Sequence, residues 1–182
     1  MKKKITEIAD IQIGYQFRQK IEPADDGTNR VIQIRDFDEN HTLNKDGLSR
    51  VRIDKPMEQY LIRQGDVLFL SRGHRNWAAP IVDELRDTVA VGHFFVIKMR
   101  NETIMPEYLA WYINQTPAQE YLHNIPRRGT HMPLVTLSAF KGLTIELPDM
   151  ATQHSIVELS RLMERERKLR IELQQRRVLI IN

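Results

Sequence analysis

The 182-residue chain has no cysteine, which excludes a disulfide framework and any thiolate metal site. It also lacks an apolar run near the ~18 residues that a membrane-spanning helix needs. Met1-Lys2-Lys3-Lys4 is followed by Thr6, Glu7 and Asp10, where a secretory leader would place an apolar segment. A soluble protein of the reducing cytoplasm, with no membrane partner, is the resulting expectation. Neither Gly-x-Gly-x-x-Gly nor a Walker-type loop occurs, so no dinucleotide or ATP site is indicated. The six histidines are scattered, none of them spaced as His-x-x-x-His on a helix, and no zinc site or other metal centre is expected. His93, ahead of Phe94-Phe95, reads as a core or edge histidine.

Charge of one sign is scarce as well, because the formal net charge is only +3. Its distribution says more than its sum. Residues 1–148 carry 20 Lys and Arg against 19 Asp and Glu, yet Val67 to Val82 and Tyr121 to Ile145 hold no acid. Those windows contain Arg72, His74, Arg75, Arg127, Arg128, His131 and Lys141. A nearly neutral domain with local acid-free basic loops is compatible with a nucleic-acid reader that binds through one face.

What the chain does have is a sharp change of period between residues 142 and 159. Leu143, Ile145 and Leu147 alternate as in a half-buried strand, whereas from Ile156 onward apolar residues recur at three and four. Pro148 cannot continue a ladder, and Asp149 or Thr152 can cap the helix that follows. The expected fold is therefore α+β: a mixed-sheet domain over residues 1–148, then a long coiled-coil-type helix over residues 149–182. Within the first part, strands are predicted at Arg30–Asp36, Val67–Leu70, Asp87–Val91 and His93–Met99, with turns at Gln64-Gly65-Asp66 and Ser71-Arg72-Gly73. Pro106 opens a helix through Asn114 that packs on the sheet, and Pro117 opens a second helical turn through Tyr121-Leu122.

An enzymatic reading fails on geometry. Pro148-Asp149 followed by Glu166-Arg167-Lys168 formally resembles a metal-dependent nuclease signature, which needs its acids converging on a metal ion. On one helix Asp149 and Glu166 stand about 25 Å apart.

Several segments, in order, carry a family resemblance. They are Ile8-Ala9-Asp10-Ile11-Gln12-Ile13-Gly14-Tyr15-Gln16-Phe17, Val31-Ile32-Gln33-Ile34-Arg35-Asp36, Gly65-Asp66-Val67-Leu68-Phe69-Leu70-Ser71-Arg72-Gly73 and Phe94-Phe95-Val96-Ile97. After them come Tyr108-Leu109-Ala110-Trp111-Tyr112-Ile113-Asn114, Arg128-Gly129-Thr130, and Leu147-Pro148 with Gln153 and Ile156. Their order and spacing over nearly the entire chain resemble the specificity subunits of type I restriction-modification enzymes. The common form of that subunit has two target-recognition domains, each followed by a long helix. This chain, with one of each and no internal repeat, is similar to a half subunit, either naturally single-domain or part of a longer or split form.

The resemblance implies a non-catalytic reader of double-stranded DNA that holds methyltransferase subunits, and with them a restriction subunit, on a specific sequence. No methyltransferase Asn-Pro-Pro-Tyr motif is present, so S-adenosylmethionine is expected on the partner and no cofactor on this chain. Arg donates bidentately to guanine and Asn to adenine. Candidate DNA-binding residues are accordingly Arg72, His74, Arg75, Asn76, Arg127, Arg128, Thr130 and His131. On the helix, Leu159, Leu162, Glu166, Leu169, Leu173, Arg176 and Ile180 follow alternating steps of three and four, with Leu159, Leu162, Leu169, Leu173 and Ile180 as its apolar members. That stripe is expected to pair two copies of the chain. A different class of function, a regulatory or decoy half subunit that only occupies methyltransferase partners, fits the same stripe.

Overall fold

The structure, a computed structural model, describes residues 1–53, 58–73, 75–124 and 134–181, with side chains as far as residue 177. In chain order the strands are β1 (Lys2–Lys4), β2 (Ala9–Ile13), β3 (Asn29–Ile32), β4 (Ser49–Val51), β5 (Val67–Leu70), β6 (Ala78–Pro80), β7 (Thr88–Ala90), β8 (Phe94–Met99) and β9 (Thr144–Glu146). The helices are α1 (Ile5–Ile8), α2 (Pro106–Ile113), α3 (Thr116–Asn124), α4 (Leu137–Phe140) and α5 (Met150–Ile181). The fold is α+β with a long C-terminal helix, as the sequence predicts. No described helix is long and apolar enough to cross a membrane.

A four-stranded antiparallel sheet in the order β2-β8-β5-β6 divides the interior into two cores. Val67 and Phe69 of β5 point to one side with Phe95 and Ile97 of β8, where residues of α2, α3, α4, β9 and Val157 of α5 cover them. Leu68, Leu70, Phe94 and Val96 point to the other side, against Val31, Ile32, Val51 and Val89. These last four belong to a second, mixed sheet, β4-β3-β7, in which β3 pairs antiparallel with β4 and parallel with β7. Burial of both faces explains why β5 reads as an unbroken apolar run. Gly65, at φ 89°, makes the turn into it, and the buried Asp66 carboxylate accepts the Arg63 amide at 2.9 Å.

The predicted strand over Arg30–Asp36 stops early, at Ile32. Asp36 Oδ2 accepts the Gln33 amide at 2.7 Å, which draws Ile34–Asp36 into a 3₁₀ turn and leaves Ile34 exposed. The two sheets are joined at Gly14, beside which the Tyr15 amide donates to the Ala90 carbonyl at 2.7 Å. A side chain on Gly14 would set its Cβ 2.5 Å from the Val91 carbonyl oxygen, so only glycine fits there.

The change of period at Pro148 is a physical junction. Leu143, Ile145 and Leu147 are buried, and β9 pairs antiparallel with β1. Asp149 is the residue that caps α5: its Oδ1 accepts the Thr152 amide at 2.8 Å, and this bond holds its carboxyl below the usual range. One turn on, Gln153 is 0% exposed. Its amide nitrogen donates to the carbonyls of Thr103 and Pro148 at 3.0 Å each, and its oxygen accepts the Met105 amide at 2.9 Å. Nearby, the Tyr108 hydroxyl donates to the Glu146 carbonyl at 2.7 Å. Burial first, then Tyr112 and Glu146, pushes its pKa up to about 12, so it remains a donor.

Beyond Val157 the helix leaves the core. Arg161 pairs with Glu107 at 3.2 Å, and Arg167 reaches Asn40 on the loop after β3. At about 100° per residue, Gln153, Val157, Ser160 and Glu164 share the side that faces the head. Leu159, Leu162, Leu169 and Leu173 lie on the opposite side, 59%, 54%, 52% and 57% exposed. The side chain of Ile180 lies outside the described residues.

Replacing Gln153 by Leu keeps its bulk but strands the buried backbone groups it serves, at about 1–3 kcal/mol for each group left without a partner. Thermal unfolding should show a marked loss of stability for Gln153→Leu. The exposed Gln174→Leu on the same helix should stay within about 0.5 kcal/mol of the wild type.

Candidate nucleic-acid interface

The two acid-free windows meet in space. β5 runs into Ser71, whose amide and hydroxyl donate to the His93 carbonyl at 2.9 and 2.8 Å. Arg72 then pairs antiparallel with Leu134, and the Val135 amide donates to the Ser71 carbonyl at 2.9 Å. The loop that carries Arg72 and Arg75 is thus bonded directly to Leu134 and Val135 of the second window.

Arg72 and Arg75 are exposed and have no ion pair among the described residues. Asn76 departs from the expectation of an exposed reader. It is buried, and its amide donates to the Leu70 carbonyl at 2.9 Å, closing the loop between β5 and β6. His74, Arg127, Arg128, Thr130 and His131 lie outside the described residues. The structure therefore brings Arg72 beside Leu134, in the middle of the second window, with Arg75 on the same loop.

A cavity flanks this loop on either side. The one beside Arg75, about 650 Å³, is lined by Trp77, His41, Glu39 and Glu120 among others. His41, at φ 60°, stacks on Trp77 with ring centroids 4.4 Å apart, and burial lowers its pKa. The cavity beside Arg72, about 640 Å³, is lined by the segment from Tyr15 to Ile21, by Gln33 to Arg35 and by Val91 to His93. Burial, and then the charge of Arg72, lowers the pKa of His93, which keeps the ring neutral at pH 7. Sequence reasoning assigns no site role to Gln33, Arg35 or His93. Gln33 and Arg35 stand in a segment of the family resemblance and His93 stands in none, because neither the parallel pairing of β3 with β7 nor its consequences can be read from local pattern.

The nuclease-like acids are engaged apart from one another, Asp149 as the helix cap and Glu166 in an ion pair with Arg170 at 2.7 Å. Among the described residues no group of three or more His, Cys, Asp or Glu is placed to hold a metal ion.

The fold and this site define a class. Residues 1–175 match the family described as the type I restriction modification DNA specificity domain, and the chain belongs to it. Its sequence is similar to that of the type I restriction enzyme HindI specificity subunit of Haemophilus influenzae, 29% identical over 101 residues, 54% of this chain and 22% of the relative. Its structure resembles the HsdS subunit from Thermoanaerobacter tengcongensis, with a TM-score of 0.65 at 22% identity over 93% of this chain and 43% of the other. It also resembles the type I restriction-modification S subunit from M. genitalium, with a TM-score of 0.56 at 17% identity over 94% of this chain and 44% of the other. The chain thus spans less than half the length of the relatives it matches.

The loop between β5 and β6 divides into a structural and a free part, and equilibrium unfolding should separate them. Asn76→Ala should cost about 1–3 kcal/mol, since the Leu70 carbonyl loses its buried partner. Arg72→Ala and Arg75→Ala should each stay within about 0.5 kcal/mol.

Proposed function

We propose that this chain reads a specific sequence in double-stranded DNA, as the non-catalytic specificity element of a type I modification or restriction complex. Methyltransferase subunits, which bring S-adenosylmethionine, and a restriction subunit are its partners. The observation that supports this reading is the pairing of Arg72 with Leu134, a contact between the two acid-free windows beside the exposed guanidinium groups of Arg72 and Arg75, which have no ion pair among the described residues. Cations without carboxylate partners suit phosphates, and forked guanidinium donors suit base edges. In this reading the head, residues 1–148, recognises the target, and the helix from residue 149 serves pairing and partner docking.

Binding to duplex DNA, by the chain alone and with its methyltransferase, should weaken steeply with salt. Each neutralised phosphate contributes about −0.9 to the log–log slope. Arg72→Ala and Arg75→Ala should each cost roughly 1–3 kcal/mol at a matched site if they read bases, and should weaken all sequences alike if they hold phosphates. Absent or salt-insensitive binding in the full complex would overturn this reading in favour of the decoy.

The outward stripe of α5 supports self-pairing. Leu159, Leu162, Leu169 and Leu173 face away from the head that could have covered them, and an exposed apolar stripe of this length marks an association surface. Two copies pairing antiparallel about a twofold axis place their heads at opposite ends. The 32 residues of α5 span about 48 Å, on the order of 14 base pairs at about 3.4 Å each. The target is then two inverted half sites with an unread spacer. Light scattering should give a dimer for the full chain and a monomer for Leu162→Glu with Leu169→Glu. A wild-type monomer at micromolar concentration would defeat self-pairing, and an asymmetric target would defeat the twofold arrangement.

A further inference from the structure

The charges on the outer part of α5 divide into two sets. Glu164 pairs with Arg167 and Lys168 at 3.4 and 3.9 Å, Glu166 with Arg170 at 2.7 Å, and Arg161 with Glu107 of α2 at 3.2 Å. Glu158, Arg165, Glu172 and Arg176 are exposed and have no ion pair among the described residues. At about 100° per residue these four fall on one flank of the leucine stripe. Arg165 and Glu172 stand two turns apart, about 10 Å, too far to pair with each other. Along the helix the flank therefore runs minus, plus, minus, plus, with every member open to solvent.

Such an order is its own complement when reversed. A twofold axis makes residue i meet residue j of a second copy wherever j meets i, and an antiparallel pair brings the same flank of both helices together. With the axis between residues 167 and 168, Arg165 stands beside Glu172 of the second copy and Glu158 beside its Arg176, each contact occurring twice. The same register lays Leu162 against Leu173 across the seam and overlaps nearly the full length of α5, while Glu166 keeps its own partner, Arg170. The neighbouring registers set like charges together. Moving the axis to residue 164 opposes Arg165 to Arg165, and moving it to residue 171 opposes Glu172 to Glu172. Parallel pairing fares no better, because Arg165 then faces Arg170 of the copy and Glu166 faces Glu166. Charges at the rim of a seam contribute little affinity and decide orientation instead.

We propose that Arg165 and Glu172 select the partner of α5, a second copy of this chain lying antiparallel, by pairing reciprocally across the twofold axis, with Glu158 and Arg176 extending the ladder. This rests on the self-pairing argued above and adds to it the direction, the register and the residues that choose them. The distance between the two heads then becomes a property of two side chains.

The test is the dimer dissociation constant of the full chain, measured by sedimentation equilibrium at low ionic strength. Arg165→Glu and Glu172→Arg each turn two attractions into two repulsions and should weaken the dimer roughly 10-fold. The double variant rebuilds both contacts with their signs exchanged and should return to within about 3-fold of the wild type. An equimolar mixture of the two single variants should pair with each other at near wild-type affinity, since one carries two carboxylates and the other two guanidinium groups. At about 1 M salt these differences should shrink, because exposed charges are screened beyond about 3 Å. A parallel pair predicts the opposite sign, because Arg165→Glu would relieve the contact with Arg170 and tighten the dimer. Single variants as tight as the wild type or tighter, or a double variant no better than the singles, overturn the assignment and leave self-pairing standing. A wild type that stays monomeric overturns self-pairing and the assignment with it. Should one single variant fail to fold, as judged by circular dichroism, the other single variant and the double variant decide.

Discussion

The side chain of Gln153 is the constraint on which the arrangement of head and helix depends. An apolar contact between α2 and α5 could slide by a turn at little cost, since packing alone is not directional. Three hydrogen bonds from one buried amide, to Thr103, Pro148 and Met105, permit a single register. With that register fixed, Val157 enters the core and the Arg161–Glu107 pair forms at the surface. The leucines of the stripe are turned away from the head as a geometric result of the same register. A polar group at the centre of an apolar joint is costly unless satisfied, and here both the amide nitrogen and the amide oxygen are engaged.

The doubly buried sheet does for the interface what Gln153 does for the helix. β5 and β8 are covered on both faces, so the loop that leaves β5 at Ser71 starts from a strand packed on both sides. Ser71 is tied back to His93, and Asn76 to Leu70. Arg72 and Arg75 thus project from a loop whose base is closed by hydrogen bonds, the kind of rigid mount that the proposed reading of a duplex requires. The same pairings set the rim of the cavity beside Arg72.

Much of this is legible in the sequence where local pattern and tertiary role agree. Val67–Leu70 reads as a strand because burial on both faces leaves no polar position, and Pro106 marks the first turn of α2 because proline there gives up no hydrogen bond. Pro148 and Asp149 mark the junction for the same kind of reason. Lys2–Lys4 does not read as a strand, because three charged residues reveal nothing of the partner, β9, that lies far along the chain. Arg30–Asp36 reads as too long a strand, because the turn depends on one carboxylate capturing one amide. As for the interface, the acid-free windows mark Arg72 and Arg75 but not the pairing of Arg72 with Leu134. Asn76 carries the right chemistry for a base and is engaged inside the loop, a distinction only burial reveals. Gln33 stands in a segment of the family resemblance without any local sign of the cavity it lines.

The hydrogen bonds of Gln153 have one more property: every atom they reach belongs to the main chain. A joint of this kind recognises the path of the backbone and is indifferent to which side chains the head displays. Substitutions around Arg72, which lies away from Thr103, Met105 and Pro148 in the chain, leave these backbone contacts in place. Different heads that keep the backbone course at Thr103, Met105 and Pro148 could be mounted interchangeably on one helix. Change at the edge around Arg72 is thereby uncoupled from the joint, as in a tool holder that takes many bits.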